Sequence, residues 1–394
     1  MEAPDRVHFW VGVATVAGAL RRRVWIEQPK FDWAPNFYIM LVGPPGIIAK
    51  TTSMNAGMGL LEQIKPKIHF GPESMTWQAL GHDLMEAKEV IVLGTGEDAE
   101  KIPISALTIA AGEAGTLLKL DDDGLASMLI TVWEGQRSYR PFRHATVSAS
   151  QLDVVNPCLN VICCTTPDWL KRNFPDHMIG GGLSSRITFV YADRKRRLVA
   201  YPSRVWKDNV QRQTELRKGL IADLEEIAKL KGRFTLTDAA MDWGEAWHER
   251  VWNGPRPPHL ASARYDAYIS RKQTTLHKIA MILSVVRNDD LTITPDLLEE
   301  ADILLTANEQ DMVKVYNSIG SVDEARRAGE ITQLLRNYGE LSTSALWKHC
   351  QPIMEQKLFR EALVAAIEAG LIERFPHSFD DGSRFGLRVK DQMQ

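Results

Sequence analysis

The sequence predicts an α/β fold with a parallel sheet in its first half, a helical lid or bundle after it, and a small helix-and-hairpin module at the C-terminus. Three observations point there. Phe37-Tyr-Ile-Met-Leu-Val42, Leu107-Thr-Ile-Ala-Ala111 and Leu159-Asn-Val-Ile-Cys-Cys164 are short, nearly continuous apolar runs of the kind carried by strands buried on both faces, and helical spacing such as Trp77, Leu80 and Leu84 separates them. From about Val205 to Ser318 the strand signal stops and helical periodicity takes over. Residues 325 to 390 then read as three short helices and a two-stranded hairpin. The expected organisation is 1–204, 205–320 and 321–394, which suits a chain of 394 residues at about 150 residues per domain.

Composition narrows the class. Hydrophobic residues make up 44% and charged residues 25%, which excludes a disordered or fibrous chain. A net charge of −3 means that any nucleic-acid contact must come from local basic patches. Cys158, Cys163, Cys164 and Cys350 form no C-x-x-C pair and have no histidine at zinc spacing, as expected of reduced core thiols in a cytoplasmic protein. No secretory signal and no apolar run of transmembrane length is present, so no membrane association is expected.

The strongest motif lies in residues 37 to 63. The first apolar run ends in Gly43-Pro44-Pro45-Gly46-Ile-Ile-Ala49-Lys50-Thr51-Thr52, and Ser53 to Gln63 suits a helix. Strand, loop and helix in that order are what a phosphate-binding loop (P-loop) needs. Backbone N–H groups and the helix N-terminus cradle phosphate oxygens, a lysine reaches the outer phosphates, and a threonine hydroxyl holds Mg²⁺. Lys50 and Thr51 take those two roles, with Thr52 beside them. The spacing departs from G-x-x-x-x-G-K-[ST]: Gly43 stands seven residues before Lys50 where the motif has six, and Ala49 takes the second glycine's position. Because alanine tolerates a positive φ poorly, the loop is expected to rearrange around Gly46. The bland alternative is a Pro/Gly turn with a surface lysine.

Upstream, residues 8 to 23 read as a helix whose Arg21, Arg22 and Arg23 complement its C-terminal dipole. Downstream, Lys67 to Glu73 reads as a short strand and turn, Thr76 opens a helix to about Ala87, and Glu89–Leu93 and Ile104–Ala111 are strands. The last of these delivers Glu113. Gly112 stands where a metal-holding Asp is expected, so Glu113 reads as the catalytic, water-orienting group and Thr51 with water as the Mg²⁺ ligand set; a helix-capping acid is the alternative. Asp121 to Asp123 read as capping residues of a helix, Leu125 to Trp133. In Gln136 to His144, Arg137, Arg140 and Arg143 alternate with Tyr139 and Phe142, a pattern suited to binding single-stranded DNA and equally compatible with a solvated hairpin. The strand Asn156 to Thr166 ends in Thr165 and Thr166, hydroxyls placed to sense a γ-phosphate, and Pro167 to Phe174 forms a short helix. Gly180-Gly181-Gly182 then leads to Arg186 just before the strand Ile187–Tyr191, a candidate finger for a nucleotide or else one half of an ordinary salt bridge.

Several of these segments together, Leu41-Val-Gly43 to Thr52, Phe70-Gly-Pro-Glu-Ser-Met-Thr-Trp-Gln-Ala79, Ser105 to Ala110, Asn156 to Asn160, Cys164-Thr-Thr-Pro-Asp-Trp169 and Ile179 to Arg186, resemble a phage and mobile-element family of P-loop ATPases. Its members are commonly described as replicative helicase or primase-helicase proteins. The similarity covers roughly residues 8 to 205. It implies a P-loop NTPase core that works as a hexamer, with the arginine finger supplied in trans and carried here by Arg186. The lengthened loop looks like a variant found within that family.

After the basic run Arg194 to Arg197, read as a solvated charge run, four helices are expected: Gln211–Lys231, Thr237–Trp252, Leu260–Arg287 and Pro295–Tyr316. The third presents Ile269, Leu276, Ile279, Leu283 and Val286 to a core, and Arg271, Lys272 or Lys278 is a candidate second sensor of the nucleotide. The C-terminal module resembles a winged helix-turn-helix whose third helix, Lys357 to Ala369, has the geometry to enter a major groove. Its Lys357 and Arg360 are matched by Glu361 and Glu368, which makes protein docking an equal alternative. The expected activity is ATP- and Mg²⁺-dependent movement along single-stranded or forked DNA, as a helicase or translocase of phage or mobile-element replication with a primase or polymerase as partner. The alternative is a nucleotide-gated DNA-binding or loader ATPase that does not unwind DNA.

Overall fold

A computed structural model of the chain describes residues 2–118, 123–134, 154–174, 182–207, 210–352, 354–379 and 381–390. It begins with α1 (Asp5–Leu20), followed by two short strands, β1 (Val24–Glu27) and β2 (Asp32–Trp33). The segments that frame the motif come next: β3 (Tyr38–Val42), α2 (Lys50–Leu61), α3 (Trp77–Glu86), β4 (Lys88–Leu93), β5 (Glu100–Ala111), α4 (Ala114–Leu117), α5 (Asp123–Trp133), β6 (Pro157–Thr165), α6 (Pro167–Asn173) and β7 (Ile187–Tyr191). Five of these strands form one sheet in the order β4-β5-β6-β3-β7. Pairing is parallel throughout except at β4, which returns antiparallel along the first half of β5.

Every residue of β3 and β6 is buried, as their unbroken apolar character requires. Alternation divides their side chains between two faces. Ile39, Leu41 and Cys164 join Val11 and Met54 of α1 and α2 in one core, while Tyr38 and Met40 face the other way, where the Tyr38 hydroxyl donates to the Leu129 carbonyl of α5 at 2.8 Å. The centre of the sheet is therefore covered on both sides, whereas its edge strand β4 is largely open to solvent, with Val90 53% exposed.

Beyond β7 come α7 (Pro202–Lys207), α8 (Val210–Lys229), β8 (Gly232–Leu236), α9 (Asp238–Asn253), α10 (Asp266–Asn288), β9 (Thr292–Ile293) and α11 (Pro295–Tyr338). Chain contacts divide the molecule into two compact units, Met1–Tyr316 and Asn317–Gln394. The expected segments 1–204 and 205–320 thus share one unit and one core, in which Val7, Leu41, Met54, Ile227, Trp247 and Ile279 pack together. A second sheet that the sequence did not announce runs β2-β1-β8-β9, with β1 pairing in parallel to β8. On α10, Ile269, Leu276, Ile279 and Leu283 are buried as their spacing predicts, but Val286 is 56% exposed.

The arginines expected to complement the α1 dipole do something else. Arg21 leaves the helix with φ 54° and is buried. Its guanidinium binds Glu89 of β4 at 2.7 Å, Arg22 donates to the Pro157 carbonyl at 3.1 Å, and Arg23 lies 3.6 Å from Glu89. They tie the end of α1 to β4 and to the start of β6.

The second unit has its own core of Ile331, Leu335, Leu346, Phe359, Leu363 and Leu387. Helices α12 (Thr343–Cys350) and α13 (Gln356–Glu368) accompany a sheet ordered β10 (Leu341–Ser342), β12 (Phe385–Val389), β11 (Ile372–Pro376), antiparallel throughout. Ser342 caps α12 by accepting from the Ala345 N–H at 3.1 Å. The exposed face of α13 mixes Lys357 and Arg360 with Glu361 and Glu368.

Candidate functional site

The connection that leaves β3 runs towards β5 and β4, whereas the one that leaves β6 passes to β7 on the far side of β3. Adjacent strands whose connections part in this way leave a crevice outside their carboxyl ends, the position where open α/β sheets bind ligands. Val42 and Thr165 stand side by side there, and the Gly43 N–H donates to the Thr165 carbonyl at 3.3 Å.

The loop from Gly43 to Ala49 closes tightly on the sheet. A Cβ at position 43 would lie 2.3 Å from the Ala192 carbonyl oxygen and 2.6 Å from Ile48 Cδ1, so only glycine fits. The longer loop includes Ile48, which is fully buried under the turn. Pro45 and Gly46 are exposed, and Gly46 has φ +70°. Ala49 corrects the expectation drawn from its Cβ: it adopts the left-handed conformation, φ 48° and ψ 41°, as the N-cap residue of α2. The loop therefore turns left-handed at both positions instead of rearranging around Gly46 alone.

The half-buried Lys50 ammonium donates to the carbonyls of Gly43 at 2.5 Å and Pro44 at 3.2 Å. Burial lowers its pKa, and the charge of Glu113 opposes that shift. Thr51 and Thr52 are exposed at the start of α2. Burial pushes the Cys164 thiol up to about 11, a shift that hydrogen bonding with Thr51 opposes, so this sulfur near the threonine is neutral. Glu113 is exposed at the N-cap position of α4, yet its side chain makes no capping bond.

Sequence reasoning assigned no role to Glu73. Its Oε2 accepts from the Gly112 N–H at 3.2 Å, beside Glu113. The signal was available only through pairing: Phe70 bridges Thr108 of β5, and this brings the following turn level with the end of that strand. The loop's N–H groups, a threonine hydroxyl and two carboxylates are hard oxygen ligands and donors that suit a Mg²⁺–phosphate group.

The two threonines at the end of β6 differ. Thr166 caps α6, its hydroxyl accepting from the Trp169 N–H at 3.1 Å. Thr165 is 1% exposed and its hydroxyl has no hydrogen-bond partner.

Arg186 is 5% exposed, ion-paired to Glu134, bonded to the Gly182 carbonyl, and set against the Trp133 ring 5.5 Å from its centroid. To act on a neighbour's nucleotide it would have to leave that pair. The helical cations expected as second sensors are held elsewhere. Lys278 is buried on Asn36 and Trp133, Lys272 pairs with the buried Glu309 at 2.8 Å, and Arg271 lies 3.4 Å from Glu134. Arg137, Arg140 and Arg143, with Gly180 and Gly181, lie outside the described residues.

A cavity of about 860 Å³ opens beside Ala192, lined by Arg6, Tyr191, Arg194, Lys195, Arg196 and Lys314. Much of its positive charge is answered locally: Arg6 binds Asp311 at 2.6 Å, Lys195 binds Glu2 at 2.8 Å, and Arg196 binds Asp5. All four cysteines are buried and unpaired, and no helix among the described residues is long and apolar enough to cross a membrane. A scan against protein-family models finds no match to this chain, and a search of curated proteins finds none either.

Proposed function

We propose that this chain is a P-loop ATPase that binds MgATP in the crevice outside β3 and β6 and couples its hydrolysis to movement along DNA. In this reading the first unit is the motor core with its helical lid, and the second is a winged helix. The observation that carries it is the state of Lys50. Its ammonium is satisfied by two loop carbonyls, Gly43 and Pro44, at the mouth of a glycine-containing loop that ends in the first turn of α2. A phosphate can replace carbonyls as partners of a lysine without leaving a buried charge unpaired.

Lys50 would exchange those carbonyls for the β and γ oxygens of ATP, while the loop N–H groups fix the phosphate chain. The Thr51 hydroxyl would hold Mg²⁺, which when bound neutralises charge that builds on the phosphates. Glu113, with its carboxylate unengaged in capping, would orient the attacking water and accept its proton. Thr165, with a hydroxyl that has no other partner, is the better of the two threonines for sensing the γ-phosphate. Arg186 would complete the site of a neighbour in a hexamer once released from Glu134, and Arg137, Arg140 and Arg143 would contact the DNA.

A second reading, an ATPase that loads or gates on DNA without unwinding it, is favoured by one observation. Arg186 is buried in an ion pair, as suits a protein whose turnover waits on assembly. ATP turnover with and without single-stranded DNA, for the wild type, Lys50→Ala and Arg186→Ala, tests both. DNA-stimulated turnover that collapses in both variants, together with strand displacement from a forked duplex, is expected of the motor. Turnover without displacement selects the loader, and ATP binding without turnover under any condition sinks the motor.

A further inference from the structure

The end of β5 brings Gly112 and Glu113 to the crevice, and glycine leaves the first of these positions with no carboxylate of its own. A neighbouring segment brings one. Gly71 donates to the Thr108 carbonyl and Thr108 donates to the His69 carbonyl, both at 2.9 Å, so residues 69 to 71 run as a one-bridge parallel strand beside β5. Three residues beyond the Phe70–Thr108 bridge, the two chains reach Glu73 and Ala111. Glu73 therefore arrives level with the strand end, and its Oε2 accepts from the Gly112 N–H at 3.2 Å.

The direction of a side chain at 112 makes the correspondence specific. A Cβ built there would lie 3.6 Å from Thr51 Cγ2 and 4.0 Å from Glu73 Oε2, in ordinary contact with both. An aspartate at 112 would thus project beside the threonine that opens α2, and the Glu73 carboxylate already borders that space. Its second oxygen keeps its lone pairs, since a carboxylate offers about four acceptor sites. Among the described residues no lysine or arginine forms an ion pair with Glu73, while the Glu113 charge acts on Lys50.

We propose that Glu73 takes the metal-holding role that an aspartate at 112 would fill, accepting from water on a Mg²⁺ held at Thr51 and leaving Glu113 for the attacking water. The proposal rests on the reading of the β3–α2 loop as a MgATP site. It assigns the two acids to different tasks: Glu73 governs metal affinity and Glu113 governs turnover.

Metal binding, read apart from activity, tests it. Mn²⁺ affinity is measured by electron paramagnetic resonance on the full chain with a non-hydrolysable ATP analogue. ATP affinity is measured by calorimetry with Mg²⁺ and with EDTA, and melting curves are recorded for each variant. Glu73→Gln, which keeps an oxygen for the Gly112 N–H, is expected to weaken Mn²⁺ binding about 10- to 100-fold, as loss of an outer-sphere partner typically does. Glu113→Gln is expected to lose turnover while its Mn²⁺ affinity stays within about threefold of wild type. Adding Gly112→Asp to Glu73→Gln is expected to restore Mn²⁺ binding, because the space at 112 accepts the side chain. Unchanged Mn²⁺ affinity in Glu73→Gln, or a loss that Gly112→Asp does not rescue, overturns the proposal and leaves Glu73 as a brace for the end of β5. A wild type that binds no nucleotide overturns the MgATP reading itself, a distinct outcome.

Discussion

Lys50 and Lys278 carry the same ammonium on the same stem, and the two regions that hold them treat it in opposite ways. In the crevice, Lys50 is half-buried and leans on two carbonyls of its own loop. In the seam between α10, Asn36 and the end of α5, Lys278 is 2% exposed, donates to Asn36 Oδ1 at 2.8 Å, and lies 3.7 Å from the centroid of the Trp133 ring. Lys272 and Arg186, near the same seam, are likewise buried against Glu309 and Glu134. The lesson is that a cation's role follows from what its partners can be exchanged for. Loop carbonyls at an open crevice can yield to phosphate, whereas a sealed partner holds the architecture together.

The largest effect expected from breaking this contrast is at Lys50. Lys50→Ala should reduce ATP turnover by about 10²- to 10³-fold or more, the scale of losing one preorganised charge-stabilising group. Its unfolding midpoint in urea should stay near wild type, because among the described residues the lysine bonds only to its own loop. A large loss of stability would place Lys50 with the architectural cations instead.

Glu309→Ala should show the reverse. Glu309 is 1% exposed and receives Lys272 at 2.8 Å and the Tyr268 hydroxyl at 3.0 Å. Removing it leaves the buried Lys272 charge only the longer contact to Asp302, at 3.8 Å, which should cost about 3 kcal/mol in urea unfolding. The double substitution Lys272→Met with Glu309→Leu should cost less, since the buried pair is removed whole and the remaining acid, Asp302, is 25% exposed. Equal losses in the single and double variants would mean that packing, not the unpaired charge, sets the penalty.

The seam should also record itself in pH. Burial, the main cause, lowers the Lys278 ammonium to about 7, with Arg22 and Arg186 adding to the shift and Cys158 and Glu134 opposing it. An unfolded lysine titrates near 10.4. Between those values the unfolded chain binds a proton that the folded chain does not. Stability should therefore rise with pH from about 7 towards 10, by at most about 1.4 kcal/mol per pH unit. Below the folded value both states are protonated and the slope ends. Lys278→Met should flatten this part of the profile relative to wild type in urea titrations at several pH values. Identical slopes would show that Asn36 and the Trp133 ring keep the ammonium charged.

The crevice was more legible in the sequence than the seam, for physical reasons. Strand, loop and helix are consecutive, so the order from Phe37 to Gln63 carried the local geometry, and the apolar runs gave β5, β6 and β7 because continuous burial leaves a continuous signal. The second sheet was not legible, since Val24 pairs with Gly232 and neither short strand shows its partner in its own residues. Glu73 was missed for the same reason, its place at Gly112 being fixed by the Phe70–Thr108 bridge. Burial of Arg186 and inward turning of Arg21 depend on Glu134 and Glu89, acids far away in the chain. Charge alone reads as surface until such partners are known. Ala49 was misjudged differently: a propensity was taken as a prohibition, and the closed loop overrides it.

The smallest effect expected, and the one that sharpens the contrast most, concerns that alanine. A non-glycine residue in the left-handed region is strained by about 1–2 kcal/mol, and Ala49 holds φ 48° at the residue that launches Lys50 into α2. Glycine there would remove the Cβ conflict but lose more entropy on folding, about 0.5–1 kcal/mol. As an N-cap residue it is also preferred over alanine. Ala49→Gly should therefore stabilise the first unit by roughly 0.5–1 kcal/mol in urea unfolding, the net of these terms. If the strain serves to fix the direction of Lys50, the same variant should bind ATP more weakly even as it becomes more stable, since the loop regains freedom that phosphate binding must remove again. Stability and affinity moving in opposite directions would mark the crevice as a region strained for binding. Rising together, they would show that the left-handed turn is only the cost of fitting Ile48 beneath the loop.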